Sequence, residues 1–226
     1  MTARPEPRVG LVTPAFRLFD DQMPSTFRTA LERRAASTRE VLAQWSDVVH
    51  DGLVSDLADA EKVNRHLKTS DLDVIVVAPT MASPPAYSAA AIEGVRAPVL
   101  IWNTNDTVSL SADLDQVAAH RDTTAIGSLM VSNLLVRSGI APTVVSSSTT
   151  DPAGLNRLQQ HILGLAGARR LRGSKFVRIG EPVLGYSNIL ASQSDLSELG
   201  IDEVVVTDSE FADRFEACTI DDIAQV

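Results

Sequence analysis

Short runs rich in Val, Ile and Leu recur along this chain, and stretches with helical character separate them. A strand that is buried on both faces of a sheet reads as a continuous apolar run, whereas a half-exposed strand alternates apolar and polar residues. Continuous runs that alternate with helices are typical of parallel sheets. The pattern predicts strands at residues 9–12, 47–54, 73–78, 98–102 and 142–145.

The ends of the intervening helices are marked by caps and stops. Ser83 stands before two prolines, and Asp151 stands before Pro152, so a capping side chain precedes a residue suited to the first helical turn. Gly139 is a helix stop. Helices are predicted at residues 26–45, 55–68, 85–94, 125–137 and from 152 to about 171. The sequence therefore predicts an α/β fold with a doubly wound, mainly parallel sheet of the Rossmann or flavodoxin-like type.

A break follows these five strands. The segment Arg169-Arg170-Leu171-Arg172-Gly173 places cations in the last turn of a helix and a glycine after it. A new cycle of two strands and two helices comes next, and two strands are too few for an independent sheet. We predict an amino-terminal Rossmann-like domain at residues 1–172 and the start of a second, incomplete α/β domain at residues 173–226.

Charge and cysteine content narrow the classes of partner. Acidic residues outnumber basic ones by 29 to 20, which argues against binding to nucleic acid or to an anionic membrane surface. No apolar stretch reaches the ~20 residues of a membrane span, and the amino end lacks the apolar run of a signal peptide. Cys218 is the only cysteine, which suits a reducing compartment. These features predict a cytoplasmic protein.

The candidate binding residues come from two loops. In an open parallel sheet, ligands bind beyond the carboxyl ends of the strands, where the winding direction reverses. The loop after the first predicted strand offers Phe16 and Arg17, and the loop after the third offers Met81 ahead of a helix start. We take these three as candidate substrate-binding residues. The alternative for each loop is a surface turn followed by an ordinary helix cap.

The motifs of several enzyme classes are missing. Neither GxGxxG nor GxxxxGK[ST] occurs after a predicted strand, and no GxSxG elbow holds a serine nucleophile. None of the four histidines has a partner at metal-binding spacing. We therefore predict no catalytic residue and no metal ligand in this chain. His120 lies among polar and acidic residues ahead of an apolar helix, where it is either a site residue or a solvated loop residue.

Several segments resemble the amino-terminal half of L-arabinose and L-fucose isomerases and their relatives. The resemblance rests on the order of the first domain, on residues 118–122 ahead of an apolar helix, on the Asp151-Pro152 helix start, and above all on residues 169–180. It covers nearly the whole chain. It implies a Rossmann-like first domain, a second α/β domain, and a carboxyl-terminal domain beyond this sequence.

That family interconverts aldoses and ketoses on a divalent metal, usually manganese, which glutamate and histidine ligands of the later domains hold. The resemblance thus implies Mn²⁺ for the missing carboxyl-terminal part and no cofactor within this chain. It also implies a homo-oligomer in which the first domain of one subunit helps to close the sugar pocket of its neighbour. Gln116 and His120 match the family's histidine motif with one extra residue between them. We expect this chain alone to be inactive as an isomerase, because the metal is needed to polarise the carbonyl.

Two other readings stay open. The chain can be a noncatalytic sugar- or small-ligand-binding α/β module that uses the loops around Phe16, Arg17 and Met81. It can also be a racemase-like enzyme of the aspartate/glutamate kind, but such enzymes use paired cysteines, and Cys218 stands alone near the chain end.

Overall fold

The structure is a computed structural model that describes residues 6–104, 119–120, 122–181, 185 and 191–218. Contacts between Cα atoms divide the chain into two units, Met1–Arg169 and Arg170–Val226. No helix within the described ranges combines the length and the apolar character needed to cross a membrane.

The first unit holds a six-stranded sheet in which every paired strand is parallel. The spatial order is β2-β1-β4-β5-β6, and β3 pairs with the carboxyl end of β1. When β2 and β3 are counted as two parts of one strand, the order is 2-1-3-4-5, as in flavodoxin-like sheets. The predicted fold class is therefore confirmed. The strands are β1 (Arg8–Pro14), β2 (Asp47–Val49), β3 (Leu53–Val54), β4 (Val74–Val77), β5 (Val99–Thr104) and β6 (Thr143–Ser147).

Helices cover both faces of this sheet. Alternate residues of β4 face opposite layers: Val74 and Val76 pack with α1 (Ser25–Leu42) and α5 (Pro152–Leu171). Ile75 and Val77 pack on the other side, and all four side chains are fully buried. Because both faces of the strand are buried, its sequence is a continuous apolar run. Burial of each such side chain stabilises the fold by about 1.5–3 kcal/mol. The helices of the second layer are α2 (Leu57–Thr69), α3 (Pro85–Ile92) and α4 (Thr124–Arg137).

The second predicted strand is split. Residues 47–54 form β2 and β3, with His50, Asp51 and Gly52 between them. Gly52 adopts φ +93°, a left-handed conformation that side chains disfavour and that interrupts the ladder. The polar interruption therefore turns one expected strand into two short ones.

The second unit, described by itself, has two parallel strands, β7 (Lys175–Ile179) and β8 (Asp202–Val206). Helix α6 (Gln193–Glu198) lies between the two strands, and α7 (Asp208–Ala217) follows β8; each helix begins with a capping box. Apolar strand residues of this unit are about half exposed, with Phe176 at 49% and Val177 at 53%. The described part of this unit thus buries much less of its sheet than the first unit does.

One glycine fixes how closely α4 approaches the sheet edge. A Cβ added at Gly127 would collide with the carbonyl oxygen of Met81 and would also meet the side chain of Pro79. Both neighbours lie in the loop after β4, and a backbone carbonyl cannot rotate away as a flexible side chain can. Only glycine therefore lets α4 lie against that loop.

We predict that Gly127→Ala destabilises the protein, although alanine is ordinarily the better helix former. The collision with a backbone atom should cost about 1–3 kcal/mol, as overpacking of a core does. Gly164→Ala is the matched control, because Gly164 lies in α5 with open space where its Cβ would stand. It should stabilise by about 0.5–1 kcal/mol. Urea unfolding measures both changes, and a stabilising Gly127→Ala would contradict the close approach.

Candidate functional site

The candidate site lies at the carboxyl ends of β1 and β4. These two strands are neighbours, and the strand order reverses between them, which is where open α/β sheets bind ligands. The loop after β1 contains a single 3-10 turn, Arg17–Phe19, and it leads into α1. The loop after β4 leads into α3.

Aromatic rings gather on the first of these loops. The ring centroids of Phe16 and Phe19 are 5.7 Å apart in an edge-to-face arrangement, and Phe16 also lies 6.3 Å from Tyr87 of α3. Phe19 lies 6.0 Å from Phe27 of α1 and 5.0 Å from the imidazole of His120. We call these five residues the aromatic cluster. Its rings come from three separate segments of the chain, so the cluster exists only in the folded protein.

His120 reaches the aromatic cluster because short hydrogen bonds hold its backbone. The Thr123 hydroxyl donates to the carbonyl of His120 at 2.7 Å, and the Thr123 hydroxyl oxygen accepts from the amide of Ala82 at 2.8 Å. The segment ahead of α4 is thereby tied to the loop after β4. The imidazole itself is half-buried.

A buried ion pair between Arg34 and Asp122 also fixes the segment ahead of α4. The Arg34 Nη2 of α1 lies 3.1 Å from the Asp122 carboxylate, and the two side chains are only 7% and 6% exposed. Arg34 Nη1 donates to the carbonyl of Thr80 at 2.7 Å, and the Thr80 hydroxyl donates to the carbonyl of Pro14 at 2.8 Å. These bonds connect the end of β1, the loop after β4, α1 and the start of α4.

The five residues singled out in the sequence have different placements. Phe16 and His120 belong to the aromatic cluster, and Phe19 lies between them. Met81 is 1% exposed and packs beneath the cluster rings with Leu31, so it supports the surface and does not face solvent. Gln116 lies outside the described residues.

Arg17 points toward the amino end of α2. Its Nη2 lies 3.0 Å from the Asp56 carboxylate and 3.3 Å from that of Asp59. Its amide also donates to the carbonyl of Ser55. Arg17 therefore holds the first loop against α2, and its guanidinium is already paired with two carboxylates.

Sequence reasoning missed Arg34, Phe19 and Tyr87. Arg34 had a usable signal, because it falls on the buried stripe of α1 between Leu31 and Thr38, where a charge must find a partner. Phe19 also had a signal, since it follows Phe16 in the same loop. Tyr87 had none, because only the fold brings α3 beside that loop.

His50 lies at the edge of the same region, where β2 is interrupted. The Thr13 hydroxyl donates to the carbonyl of Gly52 at 3.0 Å and lies 2.9 Å from His50 Nε2. A hydroxyl has one proton, so Nε2 must be the donor in the second bond. Burial lowers the pKa of His50, and the nearby Arg39 cation lowers it further, against smaller opposing effects of Asp51 and the Gly52 carbonyl.

The aromatic cluster offers two kinds of contact to a small ligand. Aromatic faces suit the C–H faces of a small polar molecule, and the imidazole can exchange hydrogen bonds with hydroxyls. Among the described residues, no group of three or more His, Cys, Asp and Glu side chains is placed to hold a metal ion.

Comparison with known proteins adds no relative: no model of a protein family matches the chain, and no curated protein is significantly similar to it.

We predict that Arg34→Met destabilises the protein by about 3–5 kcal/mol, because it removes the cation beside a carboxylate that is itself buried. Glu32→Gln is the matched control on the same helix, because Glu32 pairs with Arg28 at the surface. This substitution should change stability by at most about 0.5 kcal/mol. The double variant Arg34→Met/Asp122→Leu should recover part of the loss. Urea unfolding tests this, and equal effects of Arg34→Met and Glu32→Gln would contradict the role of the pair.

We predict that His50 makes stability fall in mild acid. The unfolded chain takes up a proton near the ordinary histidine pKa of about 6.5, whereas native His50 resists protonation, so the free energy of unfolding drops as pH falls from there toward the lower native pKa. His50→Gln should flatten this dependence between pH 7 and pH 5. His161→Gln, on the exposed face of α5, is the control. An unchanged slope in His50→Gln would count against the assignment.

Proposed function

We propose that the aromatic cluster is one wall of a sugar-binding pocket, and that the chain is the amino-terminal portion of a cytoplasmic aldose–ketose isomerase of the L-arabinose/L-fucose type. The observation that carries the proposal is the contact between His120 and Phe19, whose ring centroids are 5.0 Å apart at the reversal point of the sheet. An aromatic ring beside an imidazole offers both kinds of contact that a sugar needs. The ring packs against its C–H face, and the imidazole bonds to its hydroxyls.

The chain's own residues would bind and orient the sugar. Phe16 and Phe19 exclude water from one face of it, and His120 fixes a hydroxyl by a hydrogen bond. The buried pair of Arg34 and Asp122 keeps His120 in place, since Asp122 is only two residues further along. Polarisation of the carbonyl by manganese belongs, in the resemblance, to ligands of later domains.

Assembly into a homo-oligomer is part of the same proposal. Helix α4 begins beside the candidate site and shows an apolar outer face, with Ile126 51%, Leu129 71% and Val136 61% exposed. Apolar patches of this kind commonly mark interfaces between proteins. A second copy on this face would stand next to His120, as expected of a pocket that two subunits complete.

The second candidate function is a noncatalytic module that binds a sugar or another small ligand. The observation in its favour is that the aromatic cluster lies within the first unit, at the reversal point of its parallel sheet, where open α/β sheets bind ligands. A module of this kind binds its ligand unaided and with useful affinity, whereas one wall of a shared pocket binds weakly.

We predict that L-arabinose or L-fucose at millimolar concentration shifts the NMR signals of Phe19 and His120 in the purified chain. Phe19→Ala should weaken this binding roughly two- to tenfold, the size expected when one aromatic contact is lost. His120→Phe keeps an aromatic ring beside Phe19 and removes the hydrogen-bonding nitrogens, so it isolates the contribution of the imidazole. Phe215→Ala is the control, because this ring lies in the second unit and is 73% exposed.

Three outcomes decide between the candidates. Weak binding that Phe19→Ala impairs and Phe215→Ala does not, without conversion of sugar in the presence of Mn²⁺, supports the isomerase portion. Micromolar binding by the chain alone, measured by calorimetry, favours the independent module. Absence of shifts at both residues, or aldose-to-ketose conversion by this chain alone, contradicts the proposed role.

A further inference from the structure

A concave region lies at the opposite end of the strands from the aromatic cluster. A cavity of about 260 Å³ opens between the carboxyl end of α2 and the segment that joins α3 to β5. Leu72 and Ala97 line it, and they stand just ahead of β4 and β5, so the cavity is at the amino ends of these strands. It shares no residue with the aromatic cluster.

The charge of this cavity is opposite to that of the chain. Lys68, Arg96 and Arg169 line it from three separate segments, and Asp71 is the one carboxylate among the lining residues. The cavity therefore carries a local charge of about +2 in a chain whose formal net charge is −9. Long-range attraction cannot bring anions to this protein, so an anion held here would be held by these side chains.

The protein engages the three cations to different extents. Arg169 Nε donates to the carbonyl of Arg96 at 3.0 Å, and Arg169 Nη2 lies 3.5 Å from Asp71, whose side chain is 95% exposed. Lys68 sits in the last turn of α2, where the helix dipole favours a cation. Within the described part of the chain, neither the Lys68 ammonium nor the Arg96 guanidinium makes an ion pair or hydrogen bond.

Gly94 makes room for the Lys68 side chain. It has φ +69°, and a Cβ at this position would stand 3.3 Å from Lys68 Cε and 3.5 Å from Nζ. The ammonium group therefore lies directly over a backbone position that has no side chain. Two uncommitted cations and the spare N–H groups of Arg169 then face one small space.

We propose that this cavity is a binding site for a phosphate dianion, either inorganic phosphate or the phosphate group of a small monoester. A phosphate monoester carries nearly two negative charges at neutral pH, which matches the local excess of two. The volume is slightly below that of pockets for drug-sized ligands, so the occupant is small. Guanidinium groups bind the tetrahedral oxygens in pairs, and the lysine adds a point charge.

The test is titration calorimetry of the full chain in phosphate-free buffer, with inorganic phosphate, glycerol phosphate and succinate as separate probes. One phosphate per chain should bind, and Lys68→Gln and Arg96→Gln should each weaken the affinity about tenfold or more. Both side chains are exposed, so neither substitution should threaten folding. Tighter binding of glycerol phosphate than of inorganic phosphate assigns the site to monoesters, and the reverse assigns it to the free ion.

Arg65→Gln is the matched control, because Arg65 is exposed on the same helix, outside the cavity, and its loss changes the net charge equally. It should leave the affinity unchanged. The proposal is overturned if neither phosphate probe binds, if Arg65→Gln weakens binding as much as Lys68→Gln, or if succinate binds as tightly as phosphate.

Discussion

The buried pair of Arg34 and Asp122 is the constraint on which the candidate site depends. Removal of two charges from water costs several kcal/mol per ion, and only close contacts offset that cost. Both charges are therefore restricted to positions where the 3.1 Å contact and the bond from Arg34 to the Thr80 carbonyl exist together. His120 lies two residues before Asp122, and Met81 lies one residue after Thr80. The ion pair therefore fixes the position of the imidazole and of the Met81 side chain that packs beneath the rings.

The fold was readable from the sequence because its strongest signals are local. The uninterrupted apolar residues of β4 are what a strand covered on both faces requires. The helix start at Pro152 follows from capping, because the Asp151 carboxylate accepts from the Ala153 amide at 3.1 Å. The helix at Pro85 also starts where predicted, but Ser83 is not its cap: Pro84 occupies the N-cap position without a side-chain hydrogen bond. The break of the second strand at Gly52 was harder to anticipate, since a positive φ is a property of the folded backbone. Local sequence patterns thus predict the positions of strands and helices well, but they predict interruptions within a strand less well.

The site was only partly readable because it depends on partners distant in sequence. Phe16 and His120 were singled out, but the ring that joins them, Phe19, was not. Arg17 was singled out as a substrate-binding residue, yet its charge is engaged by Asp56 and Asp59, some forty residues away. Periodicity identifies which residues face inward or outward, whereas contacts between separate loops depend on the order of the strands.

Helix α2 connects the two ends of the sheet without making them one site. Its 13 residues span roughly 20 Å, with Asp59 near the candidate sugar site and Lys68 at the cationic cavity. Coupling between two sites requires an element with two arrangements. The buried Asn64 amide donates to the carbonyls of Ala91 and Glu93, which locks α2 to α3 in one register. A ligand that shifted α2 would have to break these two bonds, so we expect the two ends to bind independently.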